Sequence, residues 1–213
     1  MHKVFTYFEP IDEVEDSSGQ QAMIEHWSAS WAKAGWYPIV LGLADAEMHP
    51  MFDEYIESVK RLPTVNPASY ELTCYKRWMA VACQGGGFMS DYDVVNYGFT
   101  ARDPQSDLCL YEQGNTGAVV PSVVGGTAAG FLNACLCFAT CKIEDVTYEH
   151  NSGTHTSDMV VMQKMAHRLI YSVAPHVKQY GCEDWDKAEL VHYSHETTSK
   201  TNRIECMRTA RGI

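Results

Sequence analysis

Two carboxylates stand two residues apart in Phe88-Met89-Ser90-Asp91-Tyr92-Asp93-Val94, directly after an apolar run. In an extended chain, residues i and i+2 point to the same side. Asp91 and Asp93 can therefore present their carboxylates together. Such a pair is self-repelling unless a cation sits between its members. Mg²⁺ or Mn²⁺ held by one or two carboxylates plus substrate phosphates is the usual arrangement for a diphosphate leaving group. Asp-x-Asp is common by chance, and a solvated turn is the plain alternative. Its position behind an apolar strand and three glycines, Gly85 to Gly87, favours the metal reading.

Four further segments can contribute to such a site. Leu190-Val191-His192-Tyr193-Ser194-His195 carries two histidines three apart after an apolar strand, so His192 or His195 can complete a metal shell. Mixed imidazole and carboxylate ligands suit Mn²⁺ better than Ca²⁺. Asp45 follows a second strand, where it can accept from a base or ribose or simply cap a turn. Arg77, in Tyr75-Lys76-Arg77-Trp78, offers a planar fork to a diphosphate or to an acidic ligand. Asp158 lies at a predicted helix start, where it caps the helix or serves as general base toward an acceptor hydroxyl.

Other chemistries lack their signatures. Cys135-x-Cys137-x-x-x-Cys141, with His150 and His155 nearby, has no Cys-x-x-Cys pair and sits in an apolar helical segment, which argues against zinc. No Gly-Lys-Ser/Thr follows the three glycines, so they are not a P-loop. A Gly-x-Ser-x-Gly nucleophile elbow is absent.

The elements that must position these residues read as an α/β sheet. Residues 3–8 are a β-branched and aromatic run, a strand. Ser18 with Gln21 makes a capping box, and Met23, Trp27, Ser30, Trp31 and Ala34 recur at helical spacing up to Gly35. Residues 37–43 are continuously apolar, which predicts a strand covered on both faces. Strand, helix, strand is a βαβ unit and predicts a parallel sheet. Pro50 opens a helix over 51–61, and Asn66-Pro67 caps another that runs to Cys83. Residues 88–95 read as a strand with an acidic tip. Short strands are expected over 97–100, 108–111, 118–124 and 188–193, and helices over 127–140 and 157–171.

Bulk properties narrow the function classes. The 213 residues suit one domain, and 46% hydrophobic content supports a real core. A formal charge of -11 disfavours nucleic-acid binding, since so acidic a surface repels phosphate backbones. Eight cysteines without repeated spacing read as buried free thiols in a reducing compartment. No signal peptide is expected at the N-terminus, and the apolar stretch 125–141 reads as a buried helix rather than a membrane span. The tail over 200–213 is basic and reads as a helix or a linker toward further C-terminal domains.

Taken in order, the βαβ start, Asp45, the Arg77 helix, Asp91-x-Asp93 and the late Val191-His192-Tyr193 resemble the GT-A glycosyltransferases. More closely, the whole chain resembles virus-encoded members of that family implicated in glycosylating a major capsid protein. The resemblance implies an α/β fold with a mixed, mostly parallel central sheet flanked by helices. It implies a nucleotide-sugar half over 1–95, an acceptor-side half over 96–199, and a virus-encoded enzyme in the host cytosol. A UDP-sugar donor, Mn²⁺ or Mg²⁺, and a glycan or glycoprotein acceptor follow from it. Asp91, Asp93 and His192 become metal ligands, with Asp93 and Asp158 catalytic. Phe5, Thr6, Tyr7 and Phe8 would line the uracil and ribose pocket beside Asp45, with Arg77 and Tyr92 near the donor. Family members continue past the histidine with Gly-x-x-Lys-Pro-Trp, whereas this chain reads Ser194-His195-Glu196-Thr197-Thr198-Ser199-Lys200. Two rival functions remain: a nucleotidyltransferase with the same Asp-x-Asp site, and a carbohydrate-binding module using the five Trp and twelve Tyr as stacking surfaces.

Overall fold

The computed structural model describes residues 2–11, 17–100, 106–114, 117–169, 171–194 and 203–211. The chain opens with β1 (Lys3–Tyr7), α1 (Ser17–Lys33) and β2 (Tyr37–Leu41). β1 and β2 pair in parallel from Lys3↔Tyr37 to Tyr7↔Leu41, as the βαβ reading requires. The helix begins at Ser17, one residue ahead of the expected Ser18 cap. Its apolar stripe at Met23, Trp27 and Trp31 is buried against the sheet. β2 is an edge strand, however, with Tyr37 56% and Val40 44% exposed. The apolar run there does not reflect burial on both faces.

Three helices follow: α2 (Leu43–Ala46), α3 (Phe52–Lys60) and α4 (Ala68–Cys83), the last capped at Pro67. β3 (Gly86–Ser90) then pairs in parallel with β1, and β4 (Val94–Asn96) leaves for a distant edge. The acidic tip is thus a break between two strands, not the end of one. Residues 97–100 form no strand. The Asn96 side chain accepts from the amides of Gly98 and Phe99, at 2.9 and 2.8 Å, and turns the chain there.

The second half contributes β5 (Leu108–Gln113), β6 (Val119–Thr127), α5 (Ala128–Thr140) and α6 (Ile143–Val146). A hairpin of β7 (Tyr148–His150) and β8 (Gly153–His155) comes next, then α7 (Asp158–Lys164). β9 (Ser172–Gln179), β10 (Leu190–His192) and α8 (Arg203–Thr209) complete the described elements. Thr127 caps α5 by accepting from the amide of Gly130 at 3.1 Å, and Ser157 caps α7. α7 stops at Lys164, well short of the expected 171.

Among the described residues, eight strands form one sheet in the order β2-β1-β3-β6-β5-β9-β10-β4. The direction reverses at β3/β6, β6/β5 and β10/β4, and the remaining pairs are parallel. β4 from the first 96 residues pairs with β10, so both parts of the chain share this sheet. One face packs on α4 and α5 through Trp78, Phe131 and Phe138; the other packs on α1 through Trp27 and Trp31, with Trp36 from the following turn in the same cluster. Burying aromatics of that size supplies much of the driving force for the fold. No described helix is long and apolar enough to cross a membrane, and all eight cysteines are free.

The first glycine of β3 ties the strand closely to its neighbour. Gly86 has φ +82, and a Cβ there would lie 2.5 Å from the Ala128 nitrogen and 2.6 Å from the Gly126 carbonyl oxygen. Gly85 has φ +90 but nothing within 4 Å. Gly85→Ala should therefore cost about 1 kcal/mol from backbone strain alone. Gly86→Ala should cost about 3 kcal/mol or more, because backbone cannot move aside. Urea unfolding of the two variants checks the order; equal costs would contradict the close packing of β3 on the start of α5.

Candidate functional site

The site is built where β3 stops. Ser90 accepts from the Trp27 indole at 3.2 Å and donates to the Asp91 carbonyl at 3.0 Å. The Asp91 amide makes the last link to β6, at the Ser122 carbonyl, 2.7 Å away. The Val94 amide then returns to the Asp91 carbonyl at 3.0 Å and closes a tight turn. The Asp93 carbonyl accepts from the Tyr193 amide at 2.9 Å. The turn is therefore pinned to β6 at one end and to the strand end bearing His192 at the other.

This arrangement brings Asp91, Asp93 and His192 together, with one ligand atom from each lying within 4.8 Å of the others. Among the described residues this is the sole group of that kind. His195 lies outside the described residues. His192 Nε2 is 3.5 Å from an Asp93 oxygen, and Nδ1 is 2.8 Å from Oε2 of Glu112. Burial works against a charged imidazole, yet Glu112 and Asp93 on its two sides hold His192 well above the ordinary histidine range.

Two arginines complete the cluster. Arg77 donates to Asp91 through one terminal nitrogen and to Asp158 through the other, at 2.7 Å in the second case. Its Nε donates to the Cys74 carbonyl at 3.2 Å. Arg203 on α8 donates to Asp93 at 2.9 Å. All these side chains are largely shielded from solvent, which strengthens the pairing beyond that of a surface ion pair. Burial pushes the Asp91 carboxyl up; Arg77 opposes that shift and Asp93 adds to it.

Asp158 joins the same cluster through Arg77. Its Oδ2 also accepts from the Trp78 indole at 2.9 Å, and its Oδ1 accepts from the Met159 amide at 2.7 Å. In this state the carboxylate positions Arg77, and both of its oxygens already accept hydrogen bonds. Asp45 is similarly engaged, accepting from the Gly42 amide at 2.8 Å and from Gln84 at 3.2 Å, so it braces α2 against α4.

The strand-one residues divide by face. Phe5 and Tyr7 are buried in the core shared with α4, and the Tyr7 hydroxyl donates to Glu9 at 2.8 Å. Phe8 sits edge-on to Tyr92 with ring centroids 6.3 Å apart, placing both beside the acidic turn. The Thr6 hydroxyl is buried with no hydrogen-bond partner. Two open clefts elsewhere on the surface, about 390 and 450 Å³ in volume, contain none of Asp91, Asp93 and His192.

Two members of the site were invisible to the sequence reading, Glu112 and Arg203. Glu112 sits in a strand rather than after one, and Arg203 lies in a basic tail with no motif around it.

No protein-family model and no curated protein sequence matches the chain. Among solved structures it is similar to the crystal structure of a glycosyltransferase involved in the glycosylation of the major capsid of PBCV-1. The two chains are 12% identical, with a TM-score of 0.57, over 97% of this chain and 98% of the other. The chain has a glycosyltransferase-type α/β fold. That bears out the expected architecture, a curled mixed sheet flanked by helices. At this identity the likeness speaks of fold, and the chemistry must be argued from the side chains.

Beside Arg77 and Asp158, α4 buries a further acid. Glu71 is 5% exposed; its Oε2 accepts from Thr64 at 3.3 Å and from Asn66 at 2.9 Å, while Oε1 has no partner. Burial pushes its carboxyl up to about 7 from 4.5. A raised folded-state value means that the folded protein binds the proton more tightly than the unfolded chain. The contribution of Glu71 to stability is then fully present below about pH 4.5 and is lost as the pH rises through 7. Glu71→Gln mimics the protonated form and keeps an acceptor for Thr64 and Asn66. It should be more stable than the parent at pH 8 by on the order of 2 kcal/mol, with the gap closing near pH 4. Denaturant unfolding at the two pH values checks this; a gap unchanged by pH would count against a charged, buried Glu71.

Proposed function

We propose that this chain is a metal-dependent glycosyltransferase that moves a sugar from a UDP-sugar to a glycan or glycoprotein acceptor. The observation that carries the reading is the convergence of Asp91, Asp93 and His192 between Arg77 and Arg203, at the end of a parallel strand pair. Ligands of open α/β sheets bind at that end of the strands.

The donor set fits Mn²⁺ or Mg²⁺. Two carboxylates and an imidazole converge, and His192 Nδ1 is tied to Glu112, which leaves Nε2 for the ion. The ion, when bound, supplies charge neutralisation for the diphosphate leaving group. Arg77 and Arg203 already point at the carboxylates that such an ion would take over. Their planar forks suit phosphate oxygens, so both turn from Asp91 and Asp93 to the diphosphate as donor binds. Phe8 and Tyr92 flank the nucleoside, and the unpartnered Thr6 hydroxyl offers it a hydrogen bond. Phe5 and Tyr7 back this wall from the core, and Asp45 holds its edge.

The acceptor hydroxyl attacks the anomeric carbon; a carbon–oxygen bond forms to the acceptor as the bond to the diphosphate breaks. The hydroxyl proton needs a base. Turning Arg77 toward the phosphates frees one acceptor position on Oδ2 of Asp158, which still accepts from Trp78, and that position takes the proton. The capsid glycosylation ascribed to the similar structure supports a glycoprotein acceptor.

Asp93→Asn should lower UDP release from UDP-sugars at least about 100-fold, since charge stabilisation by a bound ion is worth several kcal/mol. The variant should still fold, with an unchanged far-ultraviolet circular dichroism spectrum, although loss of the charge paired with Arg203 lowers its melting temperature. Unchanged turnover in that variant would refute the proposal. Pyrophosphate release from nucleoside triphosphates would favour a nucleotidyltransferase instead, and sugar binding indifferent to metal and UDP would favour a binding module.

A further inference from the structure

Glu112 is the least expected charge in the molecule. It lies in β5 near the middle of the sheet, with 1% of its surface exposed. Its Oε2 receives His192 Nδ1 at 2.8 Å and the Ser122 hydroxyl, and its Oε1 receives the Gln179 amide at 3.0 Å. Ser122, Glu112, Gln179 and His192 come from β6, β5, β9 and β10, four consecutive strands of the sheet. One polar chain therefore crosses four strands inside an otherwise apolar layer.

A buried carboxylate costs several kcal/mol in desolvation, and its pairing seldom repays that cost relative to apolar packing. Stability alone does not account for it. The backbone also departs from regularity at this point. β5 shifts register between Leu110 and Glu112 against both β6 and β9. Irregularities of this kind re-aim a side chain beside functional sites. Here the shift accompanies a carboxylate directed at a histidine two strands away.

An imidazole has two nitrogens, and a free ring can present either. The partner on Nδ1 decides which nitrogen faces the acidic turn. With Nδ1–H donated to Glu112, Nε2 is the atom left facing Asp93, at 3.5 Å. Ser122 holds Oε2 of Glu112 and Gln179 holds Oε1, so both oxygens of the carboxylate are tied and its orientation is restrained.

Resting on the metal reading above, we infer that Glu112 is a positioning residue. It fixes the tautomer and ring orientation of His192 so that Nε2 is the ligand atom, and Ser122 and Gln179 hold Glu112 in turn. It touches neither ion nor substrate, and its effect passes entirely through His192. Partners of this type, when removed from a ligating histidine, typically weaken metal binding about 10–100-fold.

Mn²⁺ alone, titrated into the full chain and followed by electron paramagnetic resonance, tests this. Glu112→Gln should bind Mn²⁺ about 10–100-fold more weakly than the parent. Its spectrum should lose or weaken the nitrogen coupling of a bound imidazole, a signature that a loss of packing would not remove selectively. In a His192→Ala background the same substitution should change the affinity little, because its route of action is gone. Equal Mn²⁺ affinity and equal nitrogen coupling in Glu112→Gln would overturn the assignment, as would a full effect in the His192→Ala background. Should Glu112→Gln fail to fold, Gln179→Ala leaves the carboxylate in place and should weaken Mn²⁺ severalfold through His192; an unchanged affinity there is equally decisive against it. A parent chain that binds no Mn²⁺ sinks the metal reading itself, a different result from a parent that binds and a variant that matches it.

Discussion

Crowded negative charge is the constraint around which this molecule is arranged. Asp91 and Asp93 sit two residues apart in a tight turn, Asp158 approaches through Arg77, and Glu112 lies behind His192. Like charges about 4 Å apart repel by about 4 kcal/mol even at an effective dielectric near 20. Such a cluster persists only when cations are interleaved. Arg77 comes from α4, His192 from β10 and Arg203 from α8. Each reaches a carboxylate from a different direction, so the turn is neutralised by elements that are far apart in sequence. The path of the chain follows from this. β4 must leave β3 and pair with β10, because that pairing sets Val94 opposite His192 and the acidic turn beside it.

Much of the fold was legible because local signals agreed with the global arrangement. β1, the Trp27 and Trp31 stripe, the caps at Pro67, Thr127 and Ser157, and β10 all carry their pattern in a few neighbouring residues. β9 carried no such pattern. It reads Ser-Val-Ala-Pro-His-Val-Lys-Gln, with Pro175 inside it and alternating exposure. The register shift against β5 lets that proline sit where no ladder bond is required. β2 failed in the opposite sense: its apolar run predicts burial, but it lies at an edge with half its face open. Neighbours in space, not spacing in sequence, decide such cases.

The site shows the same division. The Asp91 and Asp93 pair is a local motif, and His192 stands out as a histidine ending an apolar strand. Their partners do not stand out. Glu112 precedes Gln113 at the end of a strand, where an acid normally faces water. Its burial becomes intelligible only once Ser122, Gln179 and His192 are seen around it, each more than nine residues away in the chain. Asp158 was readable as a helix-start acid, but its link to Arg77 spans 81 residues and could not be read from either segment.

Arg203 is ordered by the packing of its own helix as well as by Asp93. A free arginine side chain holds about 2 kcal/mol of rotamer entropy, which ordering would forfeit. Here much of the ordering is achieved elsewhere on the helix and just past its end. Met207 is fully buried in a cluster with Met23, Val95, Val191 and Tyr193. Arg211 lies over the Tyr97 ring at 4.2 Å and donates to the Ala188 carbonyl at 2.9 Å. α8 therefore stays docked whether or not Arg203 is bonded to Asp93. A guanidinium held on a fixed helix can exchange one oxygen partner for another at small entropic cost. In the proposed function, that exchange would be from Asp93 to a diphosphate oxygen.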